Sequence, residues 1–138
     1  MSASGFPEIW KASHVFFMEN PELVSIADSA FECKTKPLDS KIKGIYLPDS
    51  ITYIGVSAFE GLTSLVHIGE SFIKTGNKCL PENITFIGAR AFRGDQNLEL
   101  EKLPIGITKI ENNTFFNAGK ITVNSIPKKV KAINTSAF

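Results

Sequence analysis

The chain has 138 residues, of which 43% are hydrophobic and 21% charged, values that fit one globular domain and exclude a disordered polyelectrolyte. No apolar run approaches the ~20 residues that a membrane-spanning helix needs. The formal charge is +1, and lysines run among glutamates along the chain. That balance gives no electrostatic reason to expect nucleic acid or an anionic membrane as the main partner.

In chain order, residues 1–19 carry Ile9, Trp10, Val15, Phe16 and Met18 without the pattern that follows, and Pro7-Glu8 suits a first helical turn. They lack the basic start, apolar core and small-residue cleavage site of a secretory leader. The segment is expected to cap an apolar end, with Trp10 and Phe17 as partner anchors in the alternative reading. Cys33 and Cys79 lie in unlike contexts and read as two reduced thiols rather than a disulfide framework.

From residue 20 onward the sequence repeats. Leu47-Pro48-Asp49-Ser50-Ile51-Thr52-Tyr53-Ile54 is matched by segments starting at Leu80, Leu103 and Ile126, each with proline second. Five residues after the last isoleucine of each stands Phe59, Phe92, Phe115 or Phe138, and a weaker copy places Phe31 five residues after Ile26. These phenylalanines are spaced by 28, 33, 23 and 23 residues, which implies a 23-residue period with insertions near residues 32–41 and 69–79. Each unit predicts one short strand through Ile42, Ile45 and Leu47, stopped by Pro48, then a second inward pair at Ile51 and Ile54. Gly55 and Gly88 are read as permitting a tight bend before the Ala-Phe return leg. One unit cannot cover its own apolar side chains, so stacking is what stabilises it.

The pattern Leu-Pro-x-x-Ile-x-x-Ile-Gly-x-x-Ala-Phe, with Leu65, Leu98 or Ile121 six residues beyond the phenylalanine, resembles the BspA-like leucine-rich repeat. The resemblance covers residues 20–138. It implies a right-handed leucine-rich-repeat solenoid of four to five repeats, with a short β-strand ladder and irregular or short helical return legs. It further implies adhesion or other surface recognition, and a cell-surface or secreted location. The sequence departs from the family at the Cys or Asn slot three residues after phenylalanine, which holds Leu62, Asp95 and Ala118.

No phosphate loop, nucleophile elbow, paired catalytic carboxylates or metal-binding His/Cys spacing occurs, so neither an enzyme nor a cofactor is expected. His14 and His67 read as surface residues. Asn83-Ile84-Thr85 and two similar triplets match the glycosylation signal, and the repeat's own preference for Asn and Thr accounts for them. Strand alternation instead points to a protein-contact face of Lys43, Tyr46, Val66, His67, Glu99, Leu100, Lys102, Thr122, Val123 and Ser125. Leu100 and Val123 either belong to that face or lie in the core through a shifted register. Phe72 and Lys74 in the second insertion are alternative contacts. Phe138, which completes the last Ala-Phe pair, predicts either a continuing array or an end covered by another copy of the chain, so that the protein is a recognition scaffold or a structural subunit of a larger assembly.

Overall fold

A computed structural model describes residues 2–3, 13–17, 22–33, 41–69, 71–122 and 126–138. Its strands are short: β1 (Ser2–Ala3), β2 (His14–Phe16), β3 (Ser25–Ile26), β4 (Gly44–Leu47), β5 (Tyr53–Ile54) and β6 (His67–Gly69). A one-turn helix, α1 (Ser71–Thr75), precedes β7 (Phe86–Ile87), β8 (Glu99–Leu100), β9 (Lys109–Ile110), β10 (Lys120–Ile121) and β11 (Ala132–Ile133). All pairing is parallel. One ladder runs β1-β3-β5-β7 and resumes as β9-β11; the other runs β2-β4-β6 and resumes as β8-β10. β1 and β2, inside the segment expected to be a cap, pair with β3 and β4 and so extend both ladders toward the N-terminus. The helix expected after Pro7 lies outside the described residues.

Three recurring turns explain why each unit closes on itself. After the proline of each of four units the amide three residues on bonds back to its carbonyl: Ile51 to Pro48, Ile84 to Pro81, Ile107 to Pro104 and Val130 to Pro127. A second turn ends in the alanine or threonine before the phenylalanine, as in Ala58 N–H to Gly55 O. A third follows at once, as in Glu60 N–H to Ser57 O, with the residue two before the phenylalanine left-handed every time: Ser29, Ser57, Arg90, Asn113 and Ser136. A β-branched side chain would be strained there, and none occurs.

The bend therefore sits at these residues and not at Gly55 or Gly88, which have no left-handed φ. Those glycines serve close approach. A Cβ on Gly88 would lie 2.5 Å from the Val56 amide nitrogen of the preceding unit.

Along the stacking direction the units are tied by bonds from one turn to the next. Phe31, Phe59, Phe92 and Phe115 donate their amides to Ala58, Ala91, Thr114 and Ala137, at 2.7–2.9 Å. Their rings form a continuous column, with centroids 5.3 Å apart for Phe31/Phe59 and Phe59/Phe92, 5.6 Å for Phe92/Phe115 and 5.5 Å for Phe115/Phe138. Phe17 closes the column edge-on against Phe31 at 6.0 Å. Around it Leu47, Ile51, Ile54, Leu62 and Leu65 are fully buried, as the repeat pattern requires.

Two outcomes follow. Phe59→Ala removes a ring stacked on both sides and should cost about 3–5 kcal/mol in denaturant unfolding, whereas Phe138→Ala, stacked on one side, should cost much less. Gly88→Ala should cost about 1–3 kcal/mol by forcing the backbones apart. Equal losses for the two phenylalanines, or a silent Gly88→Ala, would contradict this packing.

Candidate protein-contact face

β4 is central to its ladder, and its Ile45 and Leu47 point into the core, leaving Gly44 and Tyr46 on the outer face. Gly44 stands beside His14 of β2 on one side and His67 of β6 on the other. Because Gly44 has no Cβ, the Tyr46 ring lies along the strand over it; a Cβ there would collide with the tyrosine hydroxyl. Phe16 stacks on Tyr46 at 5.0 Å and His14 at 6.0 Å. α1 places Phe72 on His67, with ring centroids 3.5 Å apart. The result is an aromatic row across three strands and the insertion.

Tyr46, expected as an exposed contact, is 4% exposed, with its ring laid over Gly44 and stacked on by His14 and Phe16 of β2. In this row the exposed rings are those of β2, Phe16 at 61% and His14 beside it. Sequence reading assigned Phe16 to the cap. The available signal was the alternation His14-Val15-Phe16, in which Val15 is buried and its neighbours are exposed.

For Leu100 the core alternative holds. It is fully buried, and its partner on β10 is the half-buried Ile121, so the pair faces inward while Glu99 and Lys120 face out. Of the remaining face residues, Lys43, Lys102 and Thr122 are exposed, and Val66, His67 and Glu99 are half-buried. Val123 and Ser125 lie outside the described residues. Glu99 pairs with Lys78 at 3.1 Å. Burial pulls the His67 imidazole below its usual range against the opposing pull of Glu99, and its Nδ1 is buried without a hydrogen-bond partner.

Phe72 is half-buried and joins this face, while Lys74 is exposed in the last residues of α1. Phe138 stands apart from the face, at the far end of the phenylalanine column, and is 50% exposed. Among the described residues no group of three or more His, Cys, Asp or Glu is placed to hold a metal ion.

The repeat that builds the paired short ladders and the phenylalanine column is matched by a family model. The BspA type leucine-rich repeat region matches six copies over residues 2–79 and 71–138. The chain belongs to the BspA-type leucine-rich-repeat family. Six copies also agree with the six strands of the first ladder, one more than the upper sequence estimate. A leucine-rich repeat protein from Bacteroides ovatus is similar in structure, with TM-score 0.54 and 25% identity over 93% of this chain and 35% of that one. A leucine-rich repeat protein from T. pallidum gives TM-score 0.37 and 21% identity over 80% of this chain and 66% of that one. The chain thus spans about a third of the length of the Bacteroides protein. No curated protein matches it.

Within this BspA-type array, the slot three residues after phenylalanine holds an unusual group in Asp95. It is fully buried, and its Oδ1 accepts the Leu62 amide at 2.8 Å, while Oδ2 is buried without a hydrogen-bond partner. Burial raises its pKa well above the ordinary carboxylate value, with backbone amides and the Glu60 charge as smaller influences. The folded value exceeds the unfolded one, so folding takes up a proton. The associated stability is complete below the unfolded carboxylate range and is lost as pH rises through the raised folded value.

Asp95→Asn keeps the acceptor for Leu62 and removes the titration. At pH 8 it should be more stable than the parent by about 1 kcal/mol, roughly 2–5 °C in Tm, and the parent's loss of stability with rising pH should flatten. Unfolding curves across pH 4–8 test this; an unchanged slope, or a less stable variant at pH 8, would contradict it.

Proposed function

We propose that this chain is a non-catalytic recognition scaffold that binds a protein partner across the outer face of the β2-β4-β6 and β8-β10 ladder. The observation that carries the reading is the aromatic row from Phe16 to Phe72, which leaves a large ring exposed beside half-buried polar groups. Such mixed faces suit protein contacts, where a few aromatic anchors dominate the energy and a polar surround orients the partner. Lys43, His67, Glu99, Lys102 and Thr122 supply that surround. Family membership supports a scaffold, and adhesion at a cell surface is the finer form of this reading.

The test is a peptide-display selection against the folded chain, followed by binding measurements on a Phe16→Ser/Phe72→Ala variant whose fold is checked by circular dichroism. Enriched peptides should lose at least about tenfold in affinity, the scale of a 1.4 kcal/mol anchor. Peptides that bind the variant as well as the parent would place recognition elsewhere.

A further inference from the structure

The near-neutral charge hides a separation along the array. Residues 102–138 contain six lysines and one glutamate, whereas residues 1–101 contain nine basic and thirteen acidic side chains. The lysines are not scattered among carboxylates in this last quarter.

The repeat register shows where the change falls. The two residues after each proline occupy the same corner in successive units: Asp49-Ser50, Glu82-Asn83, Ile105-Gly106 and Lys128-Lys129. Their adjacency is recorded by Asn83 Nδ2 donating to Asp49 O at 2.9 Å, by Gly106, whose Cβ position lies 3.3 Å from Ile84 O, and by Lys131 N–H donating to Thr108 O at 2.8 Å. The corner therefore runs from acidic through apolar to basic, in steps of about 4.8 Å per strand spacing. Lys131 and, on the neighbouring strand, Lys109 add to its basic end, and all four lysines are exposed. Their nearby carboxylate is Glu111, which already pairs with Lys109 at 3.7 Å and with Asn134 at 3.2 Å.

At the apolar step lies a cleft of about 210 Å³ with walls from Leu80, Leu103, Pro104 and Ile105, and with Glu82, Cys79 and Lys102 completing it. Ile105 is 76% exposed beside it. The cleft carries Glu82 and Lys102 in its own lining, and the exposed Lys128, Lys129 and Lys131 follow one unit further along the corner, which gives the surface a polarity.

We propose that this corner docks an acidic peptide segment of a protein partner, with one apolar side chain in the cleft and the following carboxylates on Lys128, Lys129 and Lys131. Glu82 rejects acidic residues on the opposite side and so fixes the direction of the segment. The surface lies at the proline corner between the two ladders; it shares Lys102 with the edge of the aromatic-row face and none of that face's rings, so the two sites are tested separately. The cleft favours a peptide over a simple polyanion, because a polyanion would use the lysines and leave the apolar walls exposed to water.

The experiment is fluorescence anisotropy with a labelled peptide carrying one leucine followed by four glutamates. The comparison probes are the same peptide with alanine for leucine, and dextran sulfate. The leucine peptide should bind at 20 mM salt and weaken as salt rises. Binding should drop at least about tenfold on Lys128→Glu/Lys129→Glu and at least about fivefold with the alanine peptide. Phe16→Ser should leave it unchanged. Absence of binding at low salt overturns the proposal. So does equal binding of both peptides together with lysine-dependent binding of dextran sulfate, which would make the corner a polyanion site.

Discussion

The structure depends on the phenylalanine column. Each ring fills the centre of one unit and covers the ring of the next, and the amide of the same residue bonds across to the next unit's turn. One residue per unit thus joins the hydrophobic and hydrogen-bonding contributions along the array. Offset stacking of this kind adds about 0.5–1.5 kcal/mol per pair beyond area burial, and the sum is nearest-neighbour in character. The column is continuous even where the strands are not: between β7 and β9 the first ladder breaks, while Arg90, Phe92 and Gly94 still donate to Asn112, Thr114 and Phe116.

Because the column and the three turns fix the unit, the outward positions are free to vary, and variation there is what differentiates one end of the array from the other. On one ladder the N-terminal units carry His14, Phe16, Tyr46 and His67, whereas later units carry charged or polar residues such as Glu99 and Lys120. On the other, Tyr53 stacks on Phe86 at 4.9 Å, and the following unit replaces the aromatic with Lys109. A scaffold of this type separates the residues that hold it from those that make contacts, and substitutions on the outer faces should leave the fold intact.

Much of this was legible in the sequence. The interval from isoleucine to phenylalanine and the Leu-Pro corner predicted the stacked units and nearly every core residue. What escaped detection has physical reasons. The left-handed residue before each Ala-Phe pair is serine, arginine or asparagine and never glycine, so the usual marker was absent. Gly55 and Gly88 drew attention to a bend one turn too early, because a glycine required for close approach looks in sequence like one required for its backbone angle. Tyr46 points outward as alternation demands, yet exposure depends on what the neighbouring strands place beside it. Leu100 was ambiguous until β10 showed which way its pair faced. The charge separation was present in the sequence and becomes a surface only when the register brings Lys128 next to Ile105.

Native-state hydrogen exchange tests the central role of the column most directly. The amides of Phe31, Phe59, Phe92 and Phe115 bond into the following unit beneath stacked rings, so the account predicts that they exchange among the slowest in the chain, with similar protection across the break between β7 and β9. If these four amides exchange as fast as the exposed turns after Pro48 and Pro104, or if protection collapses beyond Phe92, the column is not what holds the units together.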